Sequence, residues 1–249
     1  MRTLPIIGLA ILIAAIAATI ALATPGSGTP GPLVARGTLD GNVKLKLRAS
    51  SNTRDGAVAS TDLAAKKVPA TANIFGSGFA AAPQPAGGGG GTLPPVLRLP
   101  RGSADAAPRI VTFPKIVGKV NPIVRMAPYN GPGGDGVGPT DVSSWPGISG
   151  IVHAKNGMFL VGVFLTDARP KRPSPPRLDF TGKEQFDMLA PRIGQTFFIG
   201  DGKNRSYRVP SAATRLFLGF ADGFLYRGAP GWYGNNAGSL SVTVEVTTE

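Results

Sequence analysis

The sequence contains no cysteine and only one histidine among its 249 residues. Without cysteine there is no disulfide, no zinc–thiolate site, no thioether-linked haem and no cysteine nucleophile. Acidic residues are also few, 14 Asp and Glu against 26 Lys and Arg. A domain of this composition outside the cell must rely on its hydrophobic core, or on a bound metal, for its stability.

Strong helix signals are missing too, because the chain carries 35 glycines and 24 prolines. These are the two residue types with the lowest helix propensity. Such a share of glycine and proline is typical either of disorder or of an all-β fold rich in turns.

The net charge of +12 is compatible with nucleic acid, an acidic polysaccharide or an anionic membrane as a partner. The basic excess is spread along the chain, with one local cluster, ARPKRPSPPR at 168–177. That cluster lacks the interleaved aromatic residues of a base-stacking surface, so we expect no nucleic-acid partner. It is interpreted as an exposed, proline-stiffened basic loop, with an anion-binding arm as the alternative.

The N-terminal segment 1–23 has the pattern of an export signal. Arg2 precedes a long apolar run, and Ala21 and Ala23 fit a small-residue cleavage site before Thr24. The apolar run is also long enough to span a bilayer, so a retained membrane anchor is the alternative. Both interpretations predict a secreted or cell-surface protein.

Residues 24–107 have the composition of a low-complexity linker or stalk. Pro, Gly, Ala, Ser and Thr dominate, and AAAPQPAGGGGG and GSADAAP show no sustained periodicity. The sequence therefore predicts a largely irregular spacer, in which NVKLKLRAS at 42–50 is the one candidate strand.

Residues 108–249 are expected to form an all-β domain, a β-sandwich of the jelly-roll type. GMFLVGVFL at 157–165 is a continuous apolar run of the length of a buried strand, and SLSVTVEV at 239–246 alternates strictly. Short strands separated by Gly, Pro and Asp are typical of sandwiches and barrels. The predicted core residues are Leu216, Leu218, Phe220, Leu240, Val242 and Val244.

Catalytic signals are weak, and we expect no enzyme. His153 has no evident partner and is predicted to be a surface or turn residue rather than a general base. No G-x-S-x-G nucleophile elbow is present.

One loop, however, carries the pattern of a metal site. Asp222 ends an apolar strand, and GWYGNN follows an eight-residue excursion, 223–230. A strand-end carboxylate and the amides of Asn235 and Asn236 would offer the oxygen ligands that calcium prefers, with no sulfur or imidazole to favour zinc. The alternative is a glycine-rich bend without metal; at Asp201 the Asp-Gly pair is interpreted as an ordinary turn.

GWYGNNAGSLSVTV resembles the calcium loop of the PA-IL-like (LecA-like) calcium-dependent galactophilic lectins. RLFLGFAD lies where that family has the strand delivering its aspartate, and APYNGPGGDG resembles the loop that gives a tyrosine carbonyl. The resemblance implies calcium ligands from the Asp222 carboxylate, the Asn235 and Asn236 amides, and the carbonyls of Trp232 and Tyr129.

The same resemblance implies that a galactose-like sugar binds through calcium, on Asp222, Trp232, Tyr233, Asn235 and Asn236. The sequence departs from the family in having Trp232 in place of threonine, a longer loop and no His/Gln pair for the primary hydroxyl. Trp232 and Tyr233 would either stack on a sugar ring or pack as the small core of the loop.

The leading hypothesis is an exported calcium-dependent carbohydrate-binding module that recognises a galactose-like or other surface glycan. The alternative is a structural component of the cell envelope, or of an extracellular assembly or homo-oligomer. In that alternative calcium stabilises a loop and no sugar binds. A third hypothesis is an anionic-polymer binder that acts through 168–177.

Overall fold

The computed structural model describes residues 62–101, 107–123, 129–134 and 138–248. Within these residues the regular structure consists of β-strands and three single-turn 3-10 helices, with no α-helix. The all-β prediction is confirmed. The predicted signal peptide, 1–23, and the candidate strand at 42–50 lie outside the described residues. In the described part of the chain, no helix is long and apolar enough to cross a membrane.

Most of the strands are short, and only three of those described exceed five residues. The single-turn helices are Ile74–Gly76, Phe224–Tyr226 and Tyr233–Asn235. In chain order the strands are β1 (Asp62–Pro69), β2 (Val96–Arg98), β3 (Arg109–Asn121), β4 (Thr140–Val142), β5 (Ile151–His153), β6 (Val161–Leu165), β7 (Leu178–Asp179), β8 (Met188–Leu189), β9 (Thr196–Phe198), β10 (Ser206–Arg208), β11 (Arg215–Gly219), β12 (Arg227–Gly228) and β13 (Ala237–Thr248).

The described strands form three sheets. One has the order β1-β13-β3-β10-β8, a second β2-β11-β6-β9, and a third β12-β4-β5-β7. The longest ladder joins β13 to β3 in antiparallel register, from Ala237 opposite Asn121 to Thr248 opposite Arg109. A register shift between Thr243 and Glu245 marks a β-bulge in that ladder.

The hydrophobic core draws side chains from all three sheets. On β13 every second residue from Leu240 to Val246 is buried, as the alternation predicted. β11 lies between β2 and β6, and its Leu216, Phe217 and Leu218 are all buried, as expected for a strand covered on both faces. All six predicted core residues are buried, so that prediction is confirmed.

The predicted domain boundary at residue 108 is wrong for residues 62–101. β1 pairs with β13 in antiparallel register along its whole length, and Ile74 and Phe75 are fully buried. The sequence of β1, DLAAKKVP, has few residues that favour strands. Its backbone hydrogen bonds to β13 hold it in the sheet, and composition alone does not reveal such a partner.

The interpretation of His153 as a surface or turn residue is also wrong. Its side chain is fully buried on β5, an inner strand of the third sheet. Nδ1 accepts hydrogen bonds from the backbone N–H groups of Lys155 and Asn156, and Nε2 lies 2.9 Å from Glu184 Oε1. The histidine is thus held within the fold by hydrogen bonds at Nδ1 and by the close approach of Glu184 at Nε2.

The position of β1 makes a prediction about truncated chains. A fragment of residues 62–249 should unfold cooperatively in urea, because it keeps β1 and the buried side chains that follow it. A fragment of residues 109–249 should lack a cooperative transition, since β13 loses its pairing with β1. Urea titration followed by circular dichroism measures both, and equal midpoints would contradict the role given to β1.

Candidate functional site

The loop between β11 and β13 folds back on the residue at which it starts. Gly223 and Pro230 form an antiparallel bridge that closes the excursion, and the Gly231 N–H donates to the Asp222 carbonyl oxygen over 3.1 Å. The chain therefore returns to Asp222 just before GWYGNN. We call residues 222–236 the Asp222 loop.

The structure brings Asp222 and Asn236 into direct contact. Asn236 Nδ2 donates to Asp222 Oδ2 over 2.9 Å, and the Gly223 N–H donates to Asp222 Oδ1 over 2.8 Å. Asp222 is 3% exposed and Asn236 7% exposed. Among the described residues no Lys, Arg or His forms an ion pair with this carboxylate. Asp222 is thus a buried acid without a compensating charge.

This environment changes the proton affinity of Asp222. Burial removes the carboxylate from water and raises its pKa to about 7, against the opposing effect of the two hydrogen bonds from Asn236 and Gly223. A nearby cation would reverse this shift, because it favours the charged form. Without such a cation, the carboxyl group therefore holds a proton more readily than an exposed aspartate does.

Two amide oxygens of the same loop are buried without a partner. Asn235 Oδ1 and Asn236 Oδ1 accept no hydrogen bond in the described part of the chain. Asn236 Nδ2 also contacts the Ala70 carbonyl oxygen at 3.2 Å and Met158 Sδ at 3.8 Å. A buried acceptor that stays unpaired costs roughly 1–3 kcal/mol, so both oxygens are suited to a ligand.

Carboxylate and amide oxygens are calcium ligands, and the donor set here fits that ion in kind. Acidic and imidazole groups alone would not build a metal site, because the described residues contain no cluster of three such side chains. Any cation held here would depend on the asparagines as well as on Asp222.

Tyr233 stabilises the base of the loop rather than facing a ligand. Its ring is fully buried, its hydroxyl donates to the Phe220 carbonyl oxygen over 2.8 Å, and it accepts from the Asp222 N–H over 2.9 Å. Burial raises the pKa of this phenol well above its ordinary value. The hypothesis that Tyr233 stacks on a sugar is therefore wrong, and packing as part of the loop core is what the structure shows.

Trp232 is half-buried and has a left-handed backbone, with φ at 68°. Its indole Nε1 donates to the Ala86 carbonyl oxygen over 3.1 Å, and its ring centroid lies 5.0 Å from that of Phe224. Phe224 is 54% exposed and Leu225 is 72% exposed. These three side chains give the outer part of the Asp222 loop an apolar surface.

The sequence interpretation missed the second half of this site, the glycine run at 87–91. Its carbonyl oxygens accept from the N–H groups of Trp232, Tyr233 and Gly234 over 2.9–3.1 Å. At Gly88, φ is +66° and a Cβ atom would lie 2.4 Å from Trp232 Cδ2. Five consecutive glycines are an ambiguous signal, because flexible linkers and close backbone contacts use the same residue.

Tyr129 lies outside the group of contacts around Asp222. Its neighbour Asn130 forms a backbone bridge with Val120, while Tyr129 itself is 39% exposed. None of its hydrogen bonds within the described residues reaches the Asp222 loop. Asn121, next to Val120, pairs with Ala237 at the start of β13, and its buried Nδ2 has no partner.

The contact between the glycine run and Trp232 can be tested with a matched pair of variants. Gly87→Ala and Gly88→Ala both place a side chain at positive φ, which costs about 1–2 kcal/mol. Space is open at Gly87, whereas at Gly88 the new Cβ would overlap Trp232. Measured by urea unfolding, Gly88→Ala should lower the free energy of unfolding by roughly 1–3 kcal/mol more than Gly87→Ala does. Equal losses would contradict the contact.

The raised pKa of Asp222 predicts that metal-free protein loses stability as the pH rises from about 4 to 7. In that range the folded state keeps a proton that the unfolded state has released, so the free energy of unfolding falls as pH rises. The loss should be a few kcal/mol, since one pKa unit corresponds to about 1.4 kcal/mol. Above pH 7 this contribution should level off.

Urea unfolding of the parent and of Asp222→Asn across this pH range, in chelator, isolates the effect. The variant has no carboxyl group to titrate at this position, so its stability should fall less between pH 4 and 7. A matched control is Asp179→Asn, at the exposed end of β7, which should keep the pH dependence of the parent. If the free energy of unfolding changed equally with pH in the parent and in Asp222→Asn, the raised pKa assigned to Asp222 would be contradicted.

Comparisons of this chain with family models, with characterised proteins and with solved structures found no match. The resemblance of the Asp222 loop to the galactophilic lectins therefore rests on the residues quoted from it.

Proposed function

We propose that this chain is an exported carbohydrate-binding module whose Asp222 loop binds calcium. One observation carries the proposal: the buried Asp222 carboxylate has no compensating charge, and the same loop holds two buried amide oxygens without a partner, those of Asn235 and Asn236. Each of these groups is unfavourable alone, and one cation bound among them would satisfy all three.

Calcium suits this donor set better than magnesium or zinc. It accepts six to eight oxygen ligands in flexible geometry, whereas magnesium requires a tight octahedron and zinc prefers nitrogen and sulfur. Half a turn of the Asn236 side-chain amide would point Oδ1 instead of Nδ2 toward Asp222, with no change in shape. A site with a single carboxylate is expected to be weak, which suits the calcium concentrations found outside cells.

The burial of Asp222 and Asn236 suggests that calcium would mainly hold the loop in place. The exposed part of the loop is apolar and carries Phe224 and Trp232, whose rings lie 5.0 Å apart. Aromatic rings of this kind pack against the apolar faces of pyranose sugars. Leu225, Tyr226 and Trp232 have positive φ values of 51°, 58° and 68°. Holding three such residues requires support from their surroundings.

Calcium should raise the melting temperature of the full chain relative to chelator. An ion that binds only the folded state, at a hundred times its dissociation constant, contributes about 2.7 kcal/mol. For a chain of this length that amounts to roughly 5–10 °C. Magnesium should raise the melting temperature less than calcium does. Asp222→Asn should lose most of the calcium-induced rise, and Asn236→Ala should lose the next largest part. Differential scanning calorimetry measures each value.

Asp179→Asn is the matched control, since it also removes one carboxylate and should keep the calcium shift. A melting temperature that is the same in calcium and in chelator would contradict the metal site and the function built on it. A further shift with galactosides or other sugars, absent in chelator, would support carbohydrate binding. A calcium shift with no sugar effect would support the structural cell-envelope hypothesis.

A further inference from the structure

A groove on the described surface lies outside the Asp222 loop and combines aromatic with basic side chains. It encloses a cavity of about 700 Å³, and an adjoining one of about 540 Å³ shares Trp145, Pro146 and Arg172 with it. We call these two cavities the Trp145 groove. None of residues 222–236 lines either of them.

The turn that carries Trp145 is fixed on both sides. Trp145 and Ile148 exchange backbone hydrogen bonds of 3.0 and 2.8 Å around Pro146–Gly147. Gly147 has φ +82°, as the third position of a type II turn requires. Ser174 Oγ donates to the Trp145 carbonyl oxygen over 2.7 Å and accepts from the Gly147 N–H over 3.0 Å. The indole, which is half-buried and packs partly against the hydrophobic core, thus lies on a closed turn rather than on a free loop.

Residues 169–172 form the basic wall of the groove, and this wall packs closely against the turn. A Cβ atom at Gly147 would lie 2.5 Å from both the Lys171 nitrogen and Pro170 Cβ, so the two segments touch through their backbones. On the other side, the Arg169 guanidinium lies 5.0 Å from the centre of the Phe79 ring. The segment from 169 to 172 is therefore held between two parts of the fold.

Three cations of this wall lack acidic partners. Arg169, Lys171 and Arg172 are exposed, and none forms an ion pair within the described residues. The nearby acids are already engaged, since Asp167 pairs with Arg98 and Asp141 with Arg177. No acidic residue lines either cavity. The groove thus has an uncompensated positive charge beside an aromatic ring.

From this arrangement we propose that the Trp145 groove binds an acidic polysaccharide, one that carries uronate carboxylates or sulfate esters. The sugar ring packs on the Trp145 indole, and the anionic groups pair with Lys171 and Arg172. A single indole with prolines beside it suits one sugar ring, whereas a nucleic-acid strand needs successive aromatic platforms. This binding needs no calcium, so it can be tested independently of the calcium site proposed for the Asp222 loop.

Isothermal titration of the full chain with an oligogalacturonate, with a heparin oligosaccharide and with a neutral dextran oligosaccharide tests the proposal. At least one acidic oligosaccharide should bind, in calcium and in chelator alike, and the neutral one should not. The double variant Lys171→Gln/Arg172→Gln should weaken binding roughly tenfold or more. Trp145→Ala should weaken it severalfold at constant net charge.

The matched control is Lys115→Gln/Lys119→Gln, which removes the same charge from exposed positions on β3. Its affinity should stay within about twofold of the parent, since only long-range electrostatics change. An equal loss of affinity in both double variants would mean that only the net charge matters, and it would overturn the proposal that the groove is the binding site. Loss of binding in chelator, or single-stranded DNA binding as tightly as the acidic oligosaccharides, would overturn it as well.

Thermal melting of every variant distinguishes a lost contact from a lost fold. If Trp145→Ala melts well below the parent, Trp145→Leu replaces it, because leucine fills part of the same space without offering an aromatic face. A properly folded Trp145 variant with unchanged affinity would contradict the stacking part of the proposal.

Discussion

The pairing of β13 with two long neighbours is the interaction on which the rest of the structure depends. β3 lies on one side of it and β1 on the other, both antiparallel. These ladders satisfy the backbone of β13 at both edges, and its alternation places Leu240, Val242 and Val244 in the core. Because β13 begins at Ala237, its register also fixes Asn236, the residue that contacts Asp222.

The Asp222 loop is built by backbone contacts more than by its own side chains. The glycine run accepts the N–H groups of three successive residues, 232–234, and no larger residue fits at Gly88. Tyr233 then joins the loop to the end of β11 through the Phe220 carbonyl oxygen and the Asp222 N–H. The buried carboxylate is therefore held by a rigid frame, which is the condition for a specific ion site.

The two proposed sites treat charge in opposite ways. In the Asp222 loop a negative group is buried where desolvation disfavours it and raises its pKa. In the Trp145 groove the positive groups are exposed to water. The proposed calcium binding would therefore depend on pH, and the proposed polysaccharide binding on ionic strength.

Periodicity and composition were sufficient to predict the all-β class and its core. The strict alternation in 239–246 predicts a strand with one buried face, and the apolar run at 157–165 predicts a strand buried on both faces. The structure buries the side chains of both segments in this way. The resemblance also predicted the approach of the GWYGNN segment to Asp222, and the Gly223–Pro230 bridge together with the Asn236–Asp222 hydrogen bond brings the two together. Local pattern predicts such features since they depend on neighbours in the chain.

Tertiary structure alone decided the rest, because the partners involved are distant in sequence. β1 has a weak strand sequence and becomes a strand by hydrogen bonding to β13, about 180 residues later. The glycine run resembles a linker until Trp232 packs against it, and His153 is buried because the rings of Phe159 and Phe198 pack against it. The sequence by itself determined which side chains of the predicted strands avoid water. Which backbone segments touch was decided by the assembled sheets, since hydrogen bonds between main chains leave little trace in residue type.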